Sequence, residues 1–316
     1  MNRKLHIFLI KLFYGSVFYP LHSFQQGMIR ANGIELWVEA FGKKENPALL
    51  LIMGCGAPGL LWHQAFCKQV ADRGFFVIRY DHRSTGLSSM IDYEKSPYNL
   101  MDMANDVLAI LDHYGIQKAH IVGGSMGGLI AMLLCAHFPN RVSTLTLIMT
   151  TSDGQVTLDA IAGKPIHSSL SPPHPAILNW VKNYQAHPPK TLAEKKKTFL
   201  DVARLQNGSV VPFDEKVYHR LAFESFLKNS NLDGLEQHLK AWEASSDLHK
   251  QTISLLHAPT LIIHGDQDPI FPLDHAKALK KAIPHAQLKI IPDMGHGLNT
   301  HFYNIIIEKI EDMTKP

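Results

Sequence analysis

Residues 119–138 read AHIVGGSMGGLIAMLLCAHF. The stretch before residue 125 is an apolar run of the length of a strand buried on both faces, and from 126 onward an apolar stretch of helical length follows. Between them stands Gly123-Gly124-Ser125-Met126-Gly127, a G-x-S-x-G pattern. Placed after a buried strand and before a helix, that pattern predicts a nucleophile elbow. Such a turn is tight enough to strain the serine backbone, so the residues two positions away on either side must be small. Gly123 and Gly127 meet that demand. The helix N-terminus beyond Ser125 directs unpaired N–H groups toward the turn and favours negative charge there. Neither G-x-G-x-x-G nor G-x-x-x-x-G-K-[ST] fits 123–128, which removes support for dinucleotide or P-loop phosphate binding.

Working outward, strands are expected over 34–42, 48–54, 75–81 and 143–151, with helices over 58–72, 99–114 and 126–138. The alternation resumes with strands at 260–268 and 287–296 and helices at 273–283 and 297–313. Apolar strands separated by helices predict an α/β fold with a mostly parallel central sheet covered on both faces. Its core is expected to span 27–151 and 257–316. From 152 to 256 the alternation stops: 165–189 is Pro-rich, and helices are expected at 191–206, 214–228 and 233–246. An insertion of that size predicts a helical cap over the carboxyl edge of the sheet, where open α/β sheets bind ligands.

Composition narrows the function. The chain has 316 residues, 46% of them hydrophobic, which is enough apolar surface for a sizeable core. Lys+Arg 31 against Asp+Glu 28 gives a net charge of +3. No long basic block accompanies it, so a nucleic-acid partner is not expected. Three cysteines without C-x-x-C spacing argue against a disulfide framework or a thiolate zinc site, and a reducing, cytoplasmic compartment is expected. The 19 histidines include no H-E-x-x-H, so no metal site is expected. Residues 1–26 form a separate N-terminal segment. Within 1–21, Leu5, Phe8, Leu9, Leu12 and Phe13 share one helical face, while Lys11 and Pro20 interrupt the run. A bilayer span is not expected. Three readings stay open: an amphipathic helix giving peripheral membrane contact, a helix packed on the protein itself, and a signal or anchor.

A serine hydroxyl is a weak nucleophile until a base takes its proton, and the base must be oriented by a third group. At an elbow of this kind the acid and then the histidine follow the serine along the chain. Asp268 stands where the 260–268 strand ends in HGDQDP, and His296 stands in DMGHG after the last strand. Asp266 and Asp153 compete with Asp268 as the acid, with Asp266 read as a turn-forming carboxylate. His296 is preferred to His264, His285 and His301, read as structural or surface groups, because Gly295 and Gly297 let a loop carry its ring over the site. An oxyanion needs N–H donors. The Met126 amide, one residue past the serine, is one, and the Cys55 amide in MGCGAPG is the other candidate. The Cys55 side chain is read as a small hydrophobe without a catalytic role.

The elbow, RYDHRSTGLSS at 79–89, HGDQDP and GHG together resemble the α/β-hydrolase superfamily from about residue 28 to the end. More narrowly, LLIMG…W at 50–62, RYDHRSTG, GSMG and VPFDEKVY are similar to its aclacinomycin methylesterase-like branch. The resemblance implies Ser125 as nucleophile, Asp268 as acid partner, His296 as base, and the Cys55 and Met126 amides as oxyanion donors. It further implies that Asp81 and Arg83 brace the loop beneath the site. Cys55 stands where that branch carries glycine.

The expected activity is cleavage of carboxylic esters through an acyl-enzyme, without metal or organic cofactor. Lactonase, acyltransferase or perhydrolase activity on the same triad, or a non-catalytic binding relative, are the alternatives. The expected partner is a small-molecule ester with an apolar acyl or alcohol part. Trp180, Phe213, Phe223, Phe226 and Trp242 are candidate cavity walls, but most read equally well as cap core, and core is the reading preferred for any single one.

Overall fold

The computed structural model describes residues 25–228, 233–246 and 252–315. The expectation of a surface helix, packed helix or signal at 1–21 therefore lies outside the described residues. Eight strands form one sheet: β1 (Gln25–Ala31), β2 (Ile34–Phe41), β3 (Ala48–Ile52), β4 (Phe76–Tyr80), β5 (Ala119–Gly124), β6 (Val142–Ile148), β7 (Thr260–Gly265) and β8 (Gln287–Ile291). Their order is β1-β2-β4-β3-β5-β6-β7-β8. β2 runs antiparallel to β1 and to β4, and every other neighbouring pair is parallel.

β1 is not among the expected strands, and it starts at Gln25, inside the segment expected to lie outside the core. Its pairing with β2 turns at Asn32 (φ 49°) and Gly33 (φ 80°). An Asn-Gly dipeptide of that conformation is the two-residue turn whose twist matches a hairpin.

The helices are α1 (Gln64–Asp72), α2 (Leu100–His113), α3 (Met126–His137), α4 (Gln155–Ala162), α5 (Pro175–Ala186), α6 (Leu192–Gln206), α7 (Glu215–Lys228), α8 (Asp233–Glu243), α9 (Leu273–Ala282) and α10 (Tyr303–Thr314). The helix expected over 58–72 is broken: a short 3-10 turn at Gly59–Leu61 precedes α1, and the chain leaves the helical conformation between them at Trp62 (ψ 90°) and His63 (ψ 141°). α2, α3 and α9 cover one face of the sheet, α1 and α10 the other. β3 shows the two-faced burial most simply. Leu50 and Ile52 pack with the first group, Leu49 and Leu51 with the second. Met126 through Cys135 are all buried, so α3 is apolar on every side and sits inside the fold. Ser125 is therefore mounted between a buried strand and a buried helix.

The stretch between β6 and β7 carries α4 to α8. α6 to α8 stand where helices are expected; α4 and α5 are additional. α5 starts with Pro175 at a position that loses no helical hydrogen bond, and the His174 ring accepts the Ala176 N–H at 3.2 Å. Among the described residues no helix is long and apolar enough to cross a membrane.

Candidate active site

Strands β3, β4, β5, β7 and β8 deliver their following loops to one rim of the sheet, and the site is assembled there. Ser125 has φ 55° and ψ −126°, a strained conformation for a side-chain-bearing residue. Three bonds hold it. Its N–H donates to the Ile148 carbonyl at 3.0 Å, and its own carbonyl accepts the Gly128 N–H and the Thr150 hydroxyl, each at 2.8 Å. A Cβ on Gly123 would lie 2.8 Å from the Gly128 Cα, and one on Gly127 would lie 2.6 Å from the Met53 carbonyl oxygen. Strand, helix and the loop after β3 thus touch backbone to backbone around the serine.

Asp268 is buried beyond β7. One carboxylate oxygen accepts the Ile270 and Phe271 N–H groups at 2.8 and 2.9 Å. The other accepts His296 Nδ1–H at 2.8 Å and lies 3.6 Å from His264 Nε2. Burial pushes the Asp268 carboxyl up, but the His296 charge and hydrogen bond, with His264 and the Phe271 amide, hold it below its ordinary value. It faces His296 as a carboxylate.

His296 is fixed by its N–H, which donates to the Gln206 carbonyl at 2.7 Å, and by the Phe271 ring edge, centroids 5.5 Å apart. Gly295 and Gly297 serve close packing rather than loop freedom: a Cβ on Gly295 would lie 2.6 Å from the Gly208 nitrogen, and one on Gly297 would lie 3.1 Å from the Tyr218 hydroxyl. With Nδ1–H given to Asp268, the neutral form of the His296 ring has Nε2 as its acceptor. Ser125 and His296 line the same cavity, and no direct hydrogen bond joins them in this conformation. Catalytic hydrogen bonds of this kind commonly tighten only with substrate bound.

The other candidates face elsewhere. Asp266 accepts the Asp293 N–H at 2.7 Å, tying the loops after β7 and β8 together. It reaches across to that loop rather than to its own turn. Asp153 accepts the Gln155 N–H at 3.2 Å and caps α4. His264 is buried and donates to the Phe271 carbonyl at 2.7 Å, supporting the turn that carries Asp268. Asp81 accepts the Gly59 and Leu87 N–H groups, and Arg83 makes two 2.7 Å bonds to the Asp106 carboxylate.

Gly54 stands against the serine: a Cβ there would lie 3.0 Å from Ser125 Cβ and 3.5 Å from its Oγ. The next amide, Cys55, and the Met126 amide at the start of α3 donate to no acceptor among the described residues. The Cys55 thiol is half-buried, 3.9 Å from the Leu235 carbonyl, and burial pushes it up to about 12, so it stays protonated. Among the described residues no group of three His, Cys, Asp or Glu side chains is arranged to hold a metal ion.

The cavity over Ser125 has a volume of about 310 Å³ and mostly apolar walls. Trp180 and Trp242 line it, against the core reading preferred for each, although Trp242 is also part of the buried core. Phe213 instead stacks on Tyr218, centroids 4.6 Å apart, Phe223 is 63% exposed, and the Phe226 side chain lies outside the described residues. Sequence reasoning missed Ile177, Val181 and Tyr184, which line the cavity from α5 beside Trp180. Their i, i+3, i+4, i+7 spacing is the signal that could have found them. The Thr157 and Ser225 hydroxyls and the Trp62 indole N–H are buried behind these walls and have no hydrogen-bond partner among the described residues.

The α/β-hydrolase fold family matches residues 47–299, most of the length. The chain belongs to the α/β-hydrolase family. Within that family this hydrolase is 33% identical over 279 residues to rhodomycin D methylesterase of Streptomyces peucetius, covering 86% of this chain and 92% of that protein. This places it in the aclacinomycin methylesterase-like branch. A hydrolase from Pseudomonas aeruginosa is 26% identical with a TM-score of 0.69, covering 92% of this chain and 99% of that chain. The esterase of Exiguobacterium antarcticum superimposes with a TM-score of 0.73 at 18% identity, covering 92% of this chain and 100% of that one, and shares the fold.

Three buried histidines give this hydrolase an acid limit. Burial is the largest cause in each case and pushes His63 down to about 3, His82 to about 3 and His238 to about 4. Arg79 and Arg220 add to it at His63, and His238 adds to it at His82. All three are neutral when folded. The unfolded chain, titrating near 6.5, takes up their protons first, so stability is complete above about pH 6.5 and is lost as pH falls toward the folded values. Each histidine costs on the order of 3 kcal/mol by pH 4, against a total of roughly 5–15 kcal/mol for an ordinary domain. The melting temperature is expected to hold above pH 7 and to fall steeply from 6.5 to 4; a flat profile across that window contradicts this account.

Proposed function

We propose that this chain hydrolyses carboxylic esters of small molecules through an acyl-enzyme on Ser125. His296 Nε2 takes the Ser125 proton as Oγ attacks the ester carbonyl, gives it to the departing alkoxide, then takes a proton from the attacking water and returns it to Ser125 Oγ as the acid leaves. Asp268 holds the imidazole in the Nδ1–H tautomer and stabilises the imidazolium. The Cys55 and Met126 amides receive the oxyanion. A single observation carries the reading: an imidazole bonded to a buried carboxylate at 2.8 Å shares one cavity with a serine on a strained strand-to-helix turn. Identity to a methylesterase over nearly the whole chain supports the ester class.

The helices between β6 and β7 act as the cap. Their apolar walls favour a substrate with a bulky apolar part. The test is a panel of methyl and p-nitrophenyl esters, with small linear and bulky cyclic acyl parts, assayed for turnover. Bulky apolar esters are expected to give the larger kcat/KM, with a burst of alcohol where deacylation is slow. A panel with no turnover of any ester overturns the reading.

A further inference from the structure

The turn that carries the Cys55 amide is held on both sides by imidazoles to which the proposed reaction gives no role. Ahead of it, His82 Nε2–H donates to the Met53 carbonyl at 2.8 Å. Beyond it, the Gly56 N–H donates to His238 Nδ1 at 2.9 Å. On its other side, His238 Nε2–H donates to the Arg83 carbonyl at 2.8 Å. A backbone amide only donates and a carbonyl only accepts, so His238 must be neutral with its proton on Nε2. The two rings meet edge to face, centroids 5.6 Å apart.

Peptide planarity turns these contacts into an aiming device. The Met53 carbonyl belongs to the 53–54 peptide and the Gly56 N–H to the 55–56 peptide. The plane between them is the one that bears the Cys55 N–H, and with both neighbours pinned it keeps little freedom. Gly56, at φ 67°, lies under α8, where a Cβ would come within 2.8 Å of the Leu235 Cα. The far end of the chain of bonds is anchored too, because Arg83 is bound twice by the buried Asp106 carboxylate.

We propose that His238, on α8, is a positioning residue that aims the Cys55 amide at the oxyanion by accepting the Gly56 N–H. The inserted helices then complete the reacting centre as well as walling the cavity. This rests on the ester-hydrolase reading above. Because an oxyanion donor matters most in the transition state, its misalignment lowers kcat more than it raises KM.

Two isosteric halves of the imidazole separate this role from packing. In His238→Asn the short amide oxygen falls near the place of Nδ1 and accepts the Gly56 N–H. In His238→Gln the longer amide reaches the Arg83 carbonyl and leaves the Gly56 N–H unanswered. With an ester that the wild type hydrolyses, His238→Gln and His238→Ala are expected to lose about tenfold to hundredfold in kcat, with KM little changed. His238→Asn is expected to restore most of kcat. Any result in which Asn does not exceed Gln in kcat, or in which KM alone changes, overturns the role given to His238. A wild type that hydrolyses no ester overturns the ester-hydrolase reading instead.

Discussion

Ser125→Ala is expected to leave almost no ester turnover, with kcat reduced by a factor on the order of 10⁶, as when the nucleophile of a triad is removed. The fold is expected to survive the change. The bonds that pin this residue run through its backbone, to Ile148, Gly128 and Thr150, and alanine keeps the Cβ that already sits at φ 55°. The melting temperature therefore serves as the control: activity lost at an unchanged melting temperature isolates the hydroxyl. Turnover that persists in this variant at more than about a thousandth of the wild-type rate means that the nucleophile is elsewhere, since the oxyanion donors and binding alone leave only about 10³–10⁴ over water.

Asp268→Asn carries the second large effect, an expected loss of about 10⁴ in kcat. The carboxylate oxygen facing Ile270 and Phe271 accepts two amides, so an asparagine must place its own carbonyl there and turn its NH2 toward His296. That NH2 needs an acceptor. The imidazole then holds its proton on Nε2, the nitrogen that should take the proton from Ser125. Asp266→Asn and Asp153→Asn are expected to keep most of the rate, because those carboxylates serve a loop tie and a helix cap. A full-rate Asp268→Asn, measured as kcat/KM beside those two controls, contradicts the assignment of the acid.

The parts of this hydrolase that were legible in its sequence are those whose physics is local. The elbow needs small residues at 123 and 127 and a strand and helix on either side, all within one stretch of chain. Asp268 and His296 were reachable because each follows a buried strand, and parallel strands bring their carboxyl ends to a common edge. Asp153 satisfied the same rule. Only the three-dimensional course of the chain separates it from Asp268, turning its carboxylate to the Gln155 N–H at the start of α4. α5 was obscured by the prolines around it, although Pro175 is a sound first helical residue and its apolar spacing is regular. β1 was hidden by its place beside a basic, apolar terminus, despite the Asn32-Gly33 turn signal. His82 and His238 could not be paired by any spacing rule, because the bond each makes to the turn at Cys55 depends on where α8 comes to rest.

Adduct mapping tests the central claim most directly. The wild-type protein is treated with a fluorophosphonate at neutral pH, digested, and the modified residue located by mass spectrometry. One phosphonyl group on Ser125 is predicted, formed quickly in the wild type and slowly in Asp268→Asn. Labelling at a different residue, or ester turnover that continues with Ser125 unmodified, contradicts the account.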